Sequence, residues 1–254
     1  MDSRAWPEDA PSLLAVAHPL RWRLLRQLAG GDLRVRELTA AVGEPQNLVS
    51  YHLGLLRAGG LVEARRSAAD GRELYYRANL DRCAQLLVET GEALHSGLRL
   101  QPRPVEAFAG RVAGRVLFVC TGNSARSPMA EALTSQLSGG AVEAHSAGSH
   151  PRRLHPNTVA VMRHYGIDLA GRAATHLDAF AGQHFDYVVT LCDRVREVCP
   201  EFPAPARSLH WSMANPADAG AHDRESYPAF EQTAAELTVR IPLFLELLTT
   251  KEAA

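Results

Sequence analysis

The 254-residue chain is 46% hydrophobic and 22% charged, the balance of a soluble globular protein with room for two domains of ordinary size. Its formal net charge is −1, with 13 Arg against 12 acids in residues 1–100 and 14 basic against 16 acidic residues beyond, so neither half is a polycation and any DNA binding must come from a local patch. No apolar run approaches the ~20 residues of a membrane helix, and MDSRAWPEDAPSLL lacks the basic-then-apolar layout of a signal peptide, so no membrane partner and a cytoplasmic location are expected.

Leu13, Leu14, Ala17, Leu20, Leu24, Leu25 and Leu28 recur at helical spacing until Gly30-Gly31 stops the run. A short helix is predicted over 36–42, ended by Gly43, and another from near Pro45 to Gly59-Gly60. LVEARR, the polar turn AADG and RELYYRA predict a β-hairpin. A last helix is expected over roughly 81–98, with Leu86, Leu87, Gly91 and Leu94 on one face. Residues 100–114 hold two prolines and no sustained period, which places the domains at 1–100 and 115–254 with a linker over 101–114. Beyond it, strands predicted at 116–120, 142–146, 187–192 and 208–211 alternate with helices, and a long helix from about Tyr227 closes the pattern. The fold class expected is therefore a mainly α winged helix-turn-helix followed by an α/β domain with a central parallel sheet.

Two short helices and a hairpin are the winged helix-turn-helix plan, in which the second helix enters the major groove. Gln46, Asn47, Ser50, Tyr51 and His52 are the polar candidates for base contact on that helix, while Leu48, Val49, Leu53, Leu55 and Leu56 are expected to face the core. Arg65, Arg66 and Arg72 flank the hairpin tip and suit phosphate contact. AHPLRWRLLRQL, VRELTAAVG, NLVSYHLGLLRAGGLVEARR and GRELYYR resemble the ArsR family of dimeric metalloregulators over nearly all of residues 10–98. The resemblance implies a homodimer on a palindromic double-stranded DNA operator, joined through its first and last helices. Arsenic-sensing members commonly carry two cysteines on the helix before the recognition helix, where this chain reads RVRELTAAVG. Cys83 is the domain's one thiol, so the usual arsenite site is expected to be missing.

The strongest motif is VLFVC-TGNSAR-SPMAEAL, a buried strand, a polar loop and a helix start. Thr121, Gly122, Asn123, Ser124 and Ala125, with Ser127 at the helix start, are expected to turn backbone N–H groups inward around an oxyanion. Arg126 can grip two oxygens with its planar fork, and the same positive field favours the thiolate of Cys120, the candidate nucleophile. Residues 115 to about 245 resemble the low-molecular-weight protein tyrosine phosphatase fold, which includes the thioredoxin-coupled arsenate reductases. Phosphatases of this fold need one cysteine; arsenate reduction needs further thiols, and TLCDRVREVCP supplies Cys192 and Cys199 at the reductase spacing. The resemblance implies that arsenate bound by the loop is attacked by Cys120, that Cys192 releases arsenite by forming a disulfide with Cys120, and that Cys199 passes the disulfide to thioredoxin or a similar dithiol. If residues 193–199 are helical, the Cα atoms of Cys192 and Cys199 stand roughly 10 Å apart, beyond the about 7 Å that a disulfide tolerates, so the segment must unwind on oxidation.

One departure bears on the chemistry. The fold usually carries Asp-Pro on a loop after the last strand, the Asp being the general acid, and here Asn215 precedes Pro216. An amide cannot supply that proton, although Asn215 can position the anion and Asp218 stands nearby in sequence. Ala125 holds a loop position where some arsenate reductases have another cysteine. His145, His150, His155, His164, His176, His184, His210 and His222 lack ligand spacing, and neither a metal nor a bound cofactor is expected. Three readings stay open: an arsenate reductase fused to a DNA-binding regulator, a phosphatase with such a regulator, and a transcription factor that uses the second fold only to sense arsenate or phosphate.

Overall fold

The computed structural model describes residues 16–95, 114–198 and 207–249, and contacts divide the chain into two compact units, Met1–Pro104 and Val105–Ala254. In the first unit, α1 (Pro19–Gly30) begins where proline costs no hydrogen bond and His18 Nδ1 accepts the N–H of Leu20 at 3.1 Å. It buries Leu20, Leu24, Leu25 and Leu28; Leu13 and Leu14 lie outside the described residues. Next come β1 (Leu33–Arg34) and α2 (Val35–Val42). The carboxylate of Glu37 accepts the N–H of Arg34 at 2.8 Å where α2 starts, and Gly43 at φ 68° ends it.

The helix expected to read DNA is α3 (Gln46–Ala58). It buries Val49, His52, Leu53 and Leu56, spaced i, i+3, i+4 and i+7. Leu48 and Leu55 were expected in the core but are 37% and 38% exposed. Each precedes a buried residue by one position, and one position turns a helix by about 100°. The hairpin is β2 (Val62–Arg66) with β3 (Leu74–Ala78), and β1 adds to it in an antiparallel sheet ordered β1-β3-β2. The two-residue β1 is too short to show alternation, so the sequence pattern misses it. Helix α4 (Leu80–Leu94) stops short of the expected residue 98, and Asn79 Oδ1 caps it by accepting from the N–H of Arg82 at 2.9 Å. Leu86 is buried on it and Leu87 is half-exposed.

The second unit is α/β. Its strands β4 (Gly114–Cys120), β5 (Val142–Gly148), β6 (Tyr187–Thr190) and β7 (Arg207–His210) form a parallel sheet ordered β5-β4-β6-β7. Its helices are α5 (Arg126–Leu137), α6 (Pro156–His164), α7 (Asp193–Val198) and α8 (Asp223–Thr249). Several bounds differ from expectation: β4 starts at Gly114 and β5 runs on to Gly148; β6 stops at Thr190, so Cys192 lies beyond the strand; β7 starts at Arg207 and ends before Trp211; and α8 starts four residues before Tyr227. The core joins Phe118 of β4, Met129 and Leu133 of α5, Met162 of α6, and Phe230 and Phe244 of α8.

From β4 the chain crosses to β5 on one side, then returns past β4 to β6 on the other. The C-terminal end of β4 is thus the point where strand order reverses, the usual place for ligands in open parallel sheets. Register puts Cys120 opposite Gly148 and Val119 opposite Thr190, so three strand ends converge there.

The two units have separate hydrophobic cores. Leu56→Ala should cost about 2–5 kcal/mol and Phe118→Ala about 3–5 kcal/mol. Hydrogen exchange during urea titration should place the first loss of protection within residues 16–95 and the second within 114–249.

Candidate oxyanion site and candidate DNA interface

The loop after β4 is shaped by where its carbonyls go. Thr121 O accepts from the N–H of His150 at 2.9 Å, Gly122 O from that of Arg152 at 2.8 Å, and Ser124 O from that of His155 at 3.0 Å. Thr158 Oγ1 adds a second bond to Ser124 O at 2.8 Å. With the carbonyls tied to the segment after β5, the amide N–H groups of residues 122–125 meet no acceptor among the described residues. Ala125, the N-cap of α5, offers no side-chain cap, so the helix's first N–H groups add to the same positive concavity. Such a concavity of backbone N–H groups suits a tetrahedral anion.

Asn123 holds the loop in that shape. Its φ of 46° is the one positive value at a non-glycine among the described residues. Its side chain is fully engaged: Nδ2 donates to Ser127 Oγ at 3.0 Å and Ser146 Oγ at 2.7 Å, and Oδ1 accepts the N–H of Thr175 at 2.8 Å. Expected among the anion contacts, Asn123 offers only its backbone N–H, because its amide is spent inside the protein. Arg172 Nη2 reaches Ser146 Oγ at 3.3 Å and pairs with Glu131. Ser127 Oγ lies 3.0 Å from Cys120 Sγ, so the candidate nucleophile, itself buried, ends a hydrogen-bonded chain that starts at that ion pair.

Arg126 is 6% exposed. Its Nη1 donates to Met213 O at 2.9 Å and to Leu191 O at 3.3 Å, and its buried Nε meets no partner among the described residues. Leu191 adjoins Cys192, whose Sγ lies 3.1 Å from Thr121 Oγ1. Burial alone would raise the Cys192 pKa, but the Arg126 charge, the Thr121 hydroxyl and the N–H groups of Val195 and Arg194 outweigh it and hold the thiol below its ordinary value. The structure thus brings Cys120, Thr121, Arg126 and Cys192 to one loop, while Cys199 lies outside the described residues. Asn215 Nδ2 donates to Asp218 Oδ1 at 2.8 Å, which engages one amide hydrogen of the residue expected to touch the anion.

On the first unit, Gln46, Asn47, Ser50 and Tyr51 are exposed along α3, Arg66 and Arg72 are exposed, and Arg65 is half-buried near the hairpin tip. His52 is the exception. It is 5% exposed, its ring lies 4.3 Å from that of His18, and burial, His18 and Arg21 lower its pKa. As part of the buried stripe of α3, it is turned from the face that would meet DNA. Cys83 is half-buried on α4, and burial pushes its thiol pKa up.

A parallel sheet with a thiol, an arginine and a loop of inward-turned amides at its reversal point defines an α/β domain with a cysteine-centred candidate oxyanion site. Residues 115–253, more than half of the chain, match the family described as low molecular weight phosphotyrosine protein phosphatase, and the chain belongs to that family. Residues 18–73 match the MarR family, in line with the winged helix seen and near to the ArsR resemblance. The arsenate reductase of Halalkalibacterium halodurans is 36% identical over 131 residues, which are 52% of this chain and 94% of that protein. That of Bacillus subtilis strain 168 is 34% identical over 131 residues, again 52% of this chain and 94% of the relative. The crystal structure of arsenate reductase from Archaeoglobus fulgidus DSM 4304 is 29% identical, covers 52% of this chain and 98% of its own, and superposes with a TM-score of 0.43.

Gly148 is a residue the sequence reading misses, because its role is a matter of space. A Cβ there would stand 2.7 Å from Thr121 O and 2.8 Å from the Asn123 nitrogen. Gly148→Ala should displace the loop and weaken inorganic phosphate binding by roughly tenfold to a hundredfold. Titration calorimetry checks this, with circular dichroism showing that the fold is kept.

Proposed function

We propose that the second domain reduces arsenate to arsenite and that the first is a DNA-binding transcriptional regulator in the same cytoplasmic chain. The carrying observation is the 3.1 Å contact between Thr121 Oγ1 and Cys192 Sγ. It puts a second thiol, with its pKa lowered, against the loop that surrounds the first. Hydrolysis of a phosphate ester has no use for that thiol; a two-electron reduction requires it. The relatives that bear the name arsenate reductase support the same reading.

In this reading, the loop amides and Arg126 bind arsenate, and the Cys120 thiolate attacks arsenic with loss of one oxygen as water. The Cys192 thiolate then attacks Cys120 Sγ. A Cys120–Cys192 bond forms, the sulfur–arsenic bond breaks, and its electron pair leaves with arsenic as arsenite. Cys199 attacks Cys192 Sγ and frees Cys120, and thioredoxin or a similar dithiol reduces the Cys192–Cys199 disulfide. Asn215 cannot act as an acid, which disfavours ester cleavage more than this sequence of thiol exchanges.

Arsenate-dependent NADPH oxidation with thioredoxin and its reductase, run beside a phosphatase assay, tests the reading. Cys120→Ser and Arg126→Ala should each abolish turnover, and Cys192→Ser should stall at the first step. Full turnover by a Cys192→Ser, Cys199→Ser double variant would show that a small thiol reduces the adduct directly.

For the first domain we expect a dimer on palindromic DNA, joined through the first and last helices, with Gln46, Asn47, Ser50 and Tyr51 toward the bases and Arg65, Arg66 and Arg72 toward phosphates. Arsenite should release it weakly or not at all, because α2 carries no thiol and Cys83 is half-buried. Fluorescence anisotropy of labelled DNA with added arsenite checks this. Release at low micromolar arsenite that disappears in Cys83→Ser would overturn it.

A further inference from the structure

Cys192 is bracketed by a buried polar network that the reaction itself does not use. Asp193, the next residue, and His210, the last of β7, both have fully buried side chains, and His210 Nε2 lies 3.1 Å from Asp193 Oδ1. Ser212 Oγ donates to the same carboxylate oxygen at 2.8 Å. The other ring nitrogen, His210 Nδ1, shares a 2.8 Å hydrogen bond with Thr190 Oγ1, two residues before Cys192. One imidazole thus joins the residues on either side of the thiol. A buried pair of this kind adds little stability over an apolar replacement of the same shape, so stability is a weak reason for its presence. Its placement is the stronger one. Asp193 opens α7, and the N–H groups that bond the Cys192 sulfur belong to the next two residues, Arg194 and Val195. Arg126 stitches the same two segments through Leu191 O and Met213 O. Segments 190–193 and 210–213 are therefore fastened by both Arg126 and His210.

We propose that Asp193 and His210 are positioning residues that fix the first turn of α7 and thereby hold Cys192 Sγ against Thr121 in the oxyanion loop. The inference rests on reading Cys192 as the second thiol of the relay. The groups that act on the Cys192 thiol are Arg126 of α5, Thr121 of the loop and the Arg194 and Val195 N–H groups of α7; the Asp193–His210 pair would act through the turn that carries those N–H groups.

The test is the pH dependence of iodoacetamide alkylation of the reduced full-length protein, with Cys192 and Cys120 resolved by mass. Charge and position predict opposite signs for Asp193→Ala, which removes the oxygen that holds both His210 and Ser212. Removal of a negative charge beside Cys192 would by itself lower the midpoint. Loss of the held turn raises it, because the N–H groups leave the sulfur. We expect Asp193→Ala and His210→Gln each to raise the Cys192 midpoint by about one pH unit, a roughly tenfold slower alkylation below both midpoints. Alkylation of Cys120 and binding of inorganic phosphate should stay as in the parent. An unchanged or lower midpoint in Asp193→Ala overturns the proposal. Should that variant fail to fold by circular dichroism, Ser212→Ala, which removes one bond and no charge, must raise the midpoint in its place, and no rise overturns the proposal. Alkylation needs no turnover: a parent protein inactive toward arsenate would refute the reductase reading, and the midpoints would still judge the pair.

Discussion

The guanidinium of Arg126 lies buried where α5 meets the ends of β4 and β6, and pairs with no carboxylate among the described residues. A charge in such a place costs several kcal/mol unless polar groups surround it. Two carbonyls, Leu191 O and Met213 O, take one of its nitrogens, and the buried Nε has no partner. The arrangement is balanced only in part by the protein, and in the proposed function an anion in the adjoining loop would complete it. Much else follows. The loop's carbonyls are turned outward so that its amides add to the same positive field, and the thiol whose surroundings depress its pKa is the one that feels the Arg126 charge.

Two thiols meet at that loop. Cys120 is fixed by the end of β4 and by Ser127; Cys192 is fixed by Thr121 and the first turn of α7. A lowered pKa gives Cys192 thiolate character at a lower pH than an ordinary thiol, and a thiolate is the form that attacks sulfur. The six described residues of α7 are helical, which is the condition under which a Cys192–Cys199 disulfide would require the segment to unwind. Asp193, tied to His210, marks the end from which such unwinding would start.

What could be read from the sequence was what lies close together along it. The candidate nucleophile, the loop and the arginine fall within seven residues, so their joint placement is visible without a structure. The alternation of strands and helices likewise foretold the parallel sheet. What escaped depends on three-dimensional neighbours. Asn123 reads as an anion contact until Ser146 and Thr175 arrive from distant segments to occupy its amide. Gly148 reads as an ordinary glycine until the close approach of Thr121 forbids a side chain. His52, Leu48 and Leu55 were misplaced for a smaller reason: on a helix of mixed polarity one position shifts the buried stripe by about 100°. His210 was set aside as a residue without ligand spacing, and its partner Asp193 is 17 positions away.

The central claim is that Cys120 and Cys192 react with one another across the oxyanion loop. Mass mapping of a Cys199→Ser variant, incubated with stoichiometric arsenate in the absence of any reductant and then acid-quenched, tests it most directly. The account predicts one Cys120–Cys192 disulfide formed per arsenite released. Arsenite release with Cys192 still free, or no disulfide while Cys120 remains alkylation-protected by bound anion, would contradict it.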